Sequence, residues 1–409
     1  MNIFLNSLRL SCFLHSPFVE NSYYFLHRKL EVRESSFKKF AFSGFVVREG
    51  TLSVSGSSFQ EFLHKSVEFG RELNASIISS RRINTFYPLK FQDTVFRRII
   101  ESSSDGGAFI SFAETFLQNC LFVECNGKSG GGFSCHSSVL ISFCTFSKCI
   151  SSARGGSFFV SGNSMMSLTT NFSILFESQA VFFGAFYKDT KGPTRLNYIN
   201  VSRSSTTQCV AGFESTGGEF EMKYSLLYKS ISSSHNGGIV VRQLTKMHIE
   251  SCIFRENSQR SSISQAAAVL LLYSNPGDSF IKESAFIRND PDKGYSISVV
   301  DGKELFIYDS CFSGKHEREL YNNNGHIKTQ AVLFEKKCSN AFSYQQAGFS
   351  EKNPRDIYEK PVSFNMFRWN LFISSLIVSV LLSLLMSILH KRVIVYIWKK
   401  GKSWLLTDD

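Results

Sequence analysis

The sequence predicts an all-β fold, a right-handed parallel β-helix of about 10–12 coils, followed by one transmembrane α-helix. Three observations carry that prediction. A phenylalanine mark recurs about every 25 residues, a glycine mark keeps phase with it, and one uncharged apolar segment stands near the end of the chain. Composition agrees with a repeat array. The 409 residues hold 41 Phe against 3 Trp and 7 Pro, and many of those phenylalanines sit beside Ser, Gly or Cys in short runs.

The phenylalanine mark is a small-x-Phe step: "SSFKKF" (Phe37), "SSFQEF" (Phe59), "TVFRRI" (Phe96), "CLFVEC" (Phe122), "CTFSKC" (Phe146), "CIFREN" (Phe254), "SAFIRN" (Phe286) and "SCFSGK" (Phe312). Weaker copies fall near Leu175, Ile199 and Leu227. Successive spacings run from 22 to 37 residues, most of them between 24 and 29. The glycine mark comprises Gly106 and Gly107, Gly131 and Gly132, Gly155 and Gly156, Gly184, Gly212, then Gly237 and Gly238. Measured at the last glycine of each, its spacings are 25, 24, 28, 28 and 26.

Each unit holds short β-branched or aromatic runs, such as "AFISF" and "SVLISFCTF", with a polar stretch between them. None keeps a 3.6-residue period over a dozen positions, so strands and turns are expected and leucine-rich and helical repeats are disfavoured. A coil of three short strands needs about this many residues, and stacking coils pairs every strand in parallel with its equivalent about 4.8 Å away. Eleven marks make a rod of about 50 Å. Phenylalanines at one phase then stack inward, and glycines mark bends where coils approach closely.

The apolar segment "LFISSLIVSVLLSLLMSIL", Leu371 to Leu389, has 19 residues and no charge. As a helix it spans roughly 28 Å, near the thickness of a bilayer's hydrocarbon core. Trp369 stands at its start, and Lys391, Arg392, Lys399, Lys400 and Lys402 follow it. Positive charge stays cytoplasmic, so the expected organisation is an N-terminal domain outside the plasma membrane and a basic tail against the anionic inner leaflet. The segments expected are 1–29 as a degraded or incomplete export signal, 30–345 as the β-helix, 346–367 as a polar stalk, 368–390 as the membrane helix and 391–409 as the tail. The opening "MNIFLNSLRLSCFLHSPF" lacks a basic start and an unbroken apolar run.

Several motifs resolve into structure rather than chemistry. Cys120 and Cys125, then Cys144 and Cys149, have zinc-like spacing, but the 24-residue period stacks Cys120 on Cys144 and Cys125 on Cys149 as rungs. Buried ladder residues or inter-coil disulfides follow, with Cys252 and Cys311 in the same ladder. No metal or cofactor is expected. The net charge of +11 is spread along the chain rather than gathered in a patch, which argues against nucleic acid. Asp93, Asp189 and Asp301 do not recur in phase, "RNDPDKG" (288–294) reads as a turn, and no catalytic triad motif is present. Asn74, Asn171 and Asn200 head N-x-Ser triplets and are N-glycosylation acceptors if the domain is exported.

Glycine-glycine-alanine with an apolar residue, paired with phenylalanine-x-x-asparagine, resembles the repeats of the polymorphic outer membrane proteins. "GGAF" (106–109) matches fully, "GGGF", "GGSF" and "GGIV" in part, and "FREN" (254–257) and "FIRN" (286–289) match the second element. The resemblance covers roughly 30–320 and implies a β-helical surface protein. Those proteins end in a β-barrel, whereas this chain ends in a single apolar segment. The expected function is non-catalytic surface display or adhesion, with an extracellular protein or glycan as ligand. The alternative is a membrane-tethered carbohydrate-active β-helix of lyase or hydrolase type.

Overall fold

A computed structural model describes residues 3–6, 9–13, 19–21, 29–40, 45–47, 51–60, 67–69, 88–162, 165–260, 267–273, 277–291, 295–302, 304–335 and 338. Every strand pair among them is parallel and joins neighbouring coils, which is the predicted β-helix. The coil differs from expectation in having four strands. Sheet I has 13 strands, from Ile3–Asn6 to His326–Gln330, and sheet II has 13, from Arg9–Phe13 to Leu333–Phe334. Sheet III has eight short strands, from Ile100–Glu101 to Asp290–Pro291, and sheet IV has 12, from Val19–Asn21 to Leu320–Asn323. The chain passes I, II, III, IV and back to I. Many sheet III strands hold two residues, too few to show alternation, so the fourth strand has no signal in the sequence. Thirteen strands extend roughly 58 Å along the axis. The first three strands, Ile3–Asn6, Arg9–Phe13 and Val19–Asn21, add a rung ahead of residue 30.

Side chains at equivalent positions stack along the axis. The phenylalanine mark is the inward position of sheet II, where Phe37, Phe59, Phe96, Phe122 and Phe146 are fully buried and stacked at 4.6–5.3 Å. Leu175, Val201 and Leu227 continue the column before Phe254, Phe286, Phe312 and Phe334 resume it. Val201, and not Ile199, is the ladder residue: strand register pairs Val201 with Leu175 and Leu227. A second column, Phe109, Phe133, Phe158, Phe186 and Phe213, runs up the inward face of sheet IV at 4.3–5.3 Å. The columns touch through tilted contacts such as Phe122 to Phe133 at 6.0 Å. Burying each ring contributes about 1.5–3 kcal/mol, and each stacked pair about 0.5–1.5 kcal/mol more.

Two corners use one recipe. A single residue in the left-handed region turns the chain outward, and the next points a side chain inward, small and polar or a thiol in most coils. Between sheets I and II the inward set includes Thr94, Cys120, Cys144, Ser173, Ile199, Ser225, Cys252, Ser284 and Ser310. Their hydroxyls and thiols donate to the carbonyl two residues earlier and accept an N–H from the preceding coil, as in Cys144 N–H to Ser173 Oγ at 3.1 Å. Cys120 lies at this corner and Cys125 at the corner between sheets II and III, with Leu121–Val123 between them, so they stack on Cys144 and Cys149 and do not converge.

The glycine mark sits where sheet III meets sheet IV. In strand register Gly107, Gly131, Gly156, Gly184 and Gly237 share one column with Ala211, whereas Gly132, Gly212 and Gly238 occupy the next. The mark as read from the sequence therefore mixed two adjacent columns. A Cβ on Gly107 would stand 1.9 Å from the Gly131 carbonyl oxygen, so close approach of coils requires the glycine there. Gly106 and Gly155 have positive φ, and Gly130 joins them.

Cys311 departs from the ladder expectation. It precedes inward Phe312 on a strand, so it points outward, and it is disulfide-bonded to Cys338. Among the described residues no helix is long and apolar enough to cross a membrane. Contacts divide the chain into Met1–Ser350 and Glu351–Asp409. The expected stalk, membrane helix from Leu371 to Leu389 and basic tail lie outside the described residues, as does Asn74.

Candidate functional site

The outward residues of the corner between sheets I and II form the most unusual surface of the rod. Along it, each residue has positive φ: Asp93, Asn119, Phe143, Phe172, Tyr198, Tyr224, Ser251 and Glu283, at 47° to 55°. This conformation costs an L-residue roughly 1–2 kcal/mol and is an outlier for bulky side chains. Four consecutive coils nonetheless place an aromatic there. Their rings stack at 5.0 Å (Phe143 to Phe172), 4.6 Å (Phe172 to Tyr198) and 5.0 Å (Tyr198 to Tyr224), within 17° of parallel. The stack is not buried: Phe143 is 56% exposed, Phe172 49% and Tyr224 37%. Three stacked pairs contribute about 0.5–1.5 kcal/mol each, roughly 1.5–4.5 kcal/mol together, and offset only part of the roughly 4–8 kcal/mol of backbone strain at the four residues. Inter-coil bonds hold the backbone, with the N–H of Phe143, Phe172 and Tyr198 each 3.0 Å from a carbonyl of the next coil.

The outcome is a ridge one ring wide and about 15 Å long, running along the axis. Its flanks are mostly neutral and polar. On the sheet I side stand Ser142, Asn171 and Asn197, with Asn197 Nδ2 donating to Asn171 Oδ1 at 3.2 Å. Thr145, Ile174, Asn200 and Leu226 stand on the sheet II side, and Asn200 Oδ1 accepts the Ser202 hydroxyl. The nearest cation, Lys223 beside Tyr224, is closed by Glu221 at 2.8 Å and Glu250 at 3.3 Å. Polar pairs mark both ends of the stack, Asn119 to Asp93 at 2.6 Å and Ser251 to Glu283 at 3.3 Å. Two of the three predicted glycosylation acceptors, Asn171 and Asn200, are thus brought to opposite flanks of the ridge, both half-buried.

A different set lines the outer face of sheet IV. Phe159, Phe183, Tyr187, Val210 and Val240 form a second apolar cluster under the turn from sheet III. Glu214 is buried in the same region, 4% exposed, with Oε1 3.0 Å from Arg242 Nε. Burial pushes its carboxyl up to about 7, against the lowering pull of Arg242. Cys209 is raised by burial and then by Glu214. Asp189 lies on a diagonal from Glu214, because Tyr187 pairs with Glu214 and Asp189 with Thr216. His136 Nδ1 is 3.0 Å from Ser161 Oγ, and Ser161 neighbours Asp189. The serine stands between the histidine and the aspartate, whereas hydrolytic triads have the histidine as the middle member. Lys188 points into the core, its amine on the carbonyls of Thr190 (3.0 Å) and Gly192 (2.6 Å), with burial lowering it to about 8.

The third outward ladder is electrostatic. Between sheets II and III, Arg98, Glu124, Lys148, Glu177, Arg203, Lys229, Glu256 and Arg288 occupy the left-handed corner in successive coils, mostly alternating in sign. Arg98 to Glu124 at 2.9 Å and Arg203 to Glu177 at 3.4 Å are among its pairs, exposed and worth little each. Asn257 and Asn289, from the two phenylalanine-x-x-asparagine motifs, follow this corner inward and bond to one another at 3.1 Å. Among the described residues no cluster of three metal-binding side chains occurs. No protein family, no curated protein and no solved structure matches the chain.

Proposed function

We propose that this chain is a membrane-anchored surface display or adhesion protein whose β-helix stands outside the cell and makes contact through the aromatic ridge, without catalysis. The observation that carries the reading is the exposed stack Phe143, Phe172, Tyr198 and Tyr224 on strained backbone. Glycine meets the same turn at Gly56 without side-chain strain, so four adjacent coils retain bulky rings where folding alone does not ask for them. The parallel β-helix and the glycine and phenylalanine motifs support kinship with the polymorphic outer membrane protein repeats. The apolar run 371–389 with its basic flank supports a single-pass anchor. The Cys311–Cys338 disulfide supports an oxidising compartment, as an exported domain requires.

The carbohydrate-active alternative would need carboxylates converging where a sugar chain can reach them. Glu214, the most perturbed of the outer-face carboxyls, is closed beneath the sheet III turn and held by Arg242, which favours a structural role. The test is attachment of cells displaying the full chain to immobilised matrix proteins and polysaccharides. Replacing all four ridge rings by serine should reduce attachment at least tenfold at equal surface amount. Neutralising the neighbouring corner between sheets II and III with Glu177→Gln and Arg203→Gln should leave it unchanged. Undiminished attachment of the ridge variant would overturn the proposal.

A further inference from the structure

We infer that the ridge's ligand is a neutral polysaccharide lying along the rod axis, an inference that rests on the ridge being the contact surface. Shape is the first argument. A protein partner buries about 800 Å² of a compact patch on each side, whereas this apolar surface is one ring wide and extends over four coils. A linear polymer matches a linear ridge. An extended peptide is the competing polymer, but its same-face side chains recur about every 6.6 Å, out of step with rings at 4.6–5.0 Å.

Flank chemistry is the second argument. Ser142, Asn171 and Asn197 on one side, with Thr145 and Asn200 on the other, offer hydroxyls and carboxamides that donate and accept, as sugar hydroxyls do. The ligand site needs Asn171 and Asn200 unglycosylated; both are half-buried, with their oxygens held from within the chain by Asn197 and Ser202, so their orientations are set before a ligand arrives. Fixed charge is missing from these flanking positions, and Lys223 is already paired twice. Arg195, two residues before Asn197 on the same outward face, stands 3.9 Å from Glu221, so both cations beside the ridge face carboxylates. An anionic polysaccharide or a nucleic acid would meet a charge-balanced surface rather than a basic one. Neutral amides and hydroxyls beside an apolar ridge suit a neutral sugar chain, whose hydroxyls meet the amides while its apolar C–H groups lie along the exposed part of the stacked rings.

The experiment is equilibrium titration of the full chain in detergent with a soluble neutral β-linked glucan and, in parallel, with polygalacturonate. The neutral glucan should bind, with an affinity that several-fold higher salt does not change. Asn171→Ala with Asn197→Ala should weaken it about tenfold, and Asn171→Gln with Asn197→Gln, which keeps the amides, should recover part of the loss. Preference for polygalacturonate, a strong salt dependence, or no binding of the neutral glucan would overturn the inference. If the glucan fails while serine replacement of the rings still abolishes attachment to a protein-coated surface, the ligand is a protein and the display reading stands. If ring replacement affects no attachment at all, the reading beneath falls with it.

Discussion

Replacing Phe172 separates the two forces that meet on the ridge. Its ring stacks on Phe143 and Tyr198 at 5.0 and 4.6 Å, while its backbone sits at φ 47°. Phe172→Ala removes both stacks, a loss of about 1–3 kcal/mol, and keeps the left-handed strain. Phe172→Gly loses the same stacks but recovers roughly 1–2 kcal/mol of strain, less about 0.5–1 kcal/mol for the greater freedom of glycine when unfolded. The glycine variant should therefore be the more stable of the two, by up to about 1.5 kcal/mol. Urea midpoints of the full chain in detergent, read at constant slope, measure the difference. An alanine variant more stable than glycine, the order at an ordinary strand site, would refute the claim that the ring is held against backbone strain.

Other consequences can be checked alongside. Phe122→Ala, cut from between Phe96 and Phe146, should cost about 3–5 kcal/mol, and Phe122→Leu much less, since Leu175 and Leu227 fill the same column. The raised carboxyl of Glu214, about 7 when folded, means the native state holds an extra proton between its ordinary range near 4.5 and 7. Stability should accordingly fall as pH rises through that window, by roughly 3 kcal/mol at most. Glu214→Gln should flatten part of the slope, leaving the share of Glu319, also raised to about 7 by burial. A slope of opposite sign would show that Arg242 dominates. In a native alkylation time course, half-buried Cys209 should react ahead of Cys120, Cys125, Cys144 and Cys149, which are all buried; burial, reinforced by the neighbouring thiol, also raises the Cys120 and Cys125 thiols well above the ordinary range. Equal labelling of all five would mean the coils open.

The repeat was legible because one inward position of sheet II takes phenylalanine in most coils, and period alone exposes that. Ile199 was mistaken for Val201 because both are apolar and only strand pairing tells which faces inward. The second phenylalanine column hid behind the glycines immediately before it. Short sheet III strands left no pattern to read. The ridge escaped notice for another reason: an aromatic beside Ser or Cys reads as core, and left-handed corners have no sequence signature apart from glycine or asparagine. A signal did exist, since Phe143, Phe172, Tyr198 and Tyr224 each stand three residues before the column residues Phe146, Leu175, Val201 and Leu227. Cys311 resembled a ladder cysteine by its place beside Phe312, but adjacency on a strand reverses the face.

The contact role of the ridge is tested most directly by single-cell force spectroscopy of cells displaying the full chain, pressed against a neutral-glucan surface. With the four rings intact, detachment events should be frequent and should fall when soluble glucan is added. With Phe143, Phe172, Tyr198 and Tyr224 replaced by serine, and display matched by antibody, they should drop to the level of cells without the protein. Equal detachment frequencies for the two proteins would contradict the account.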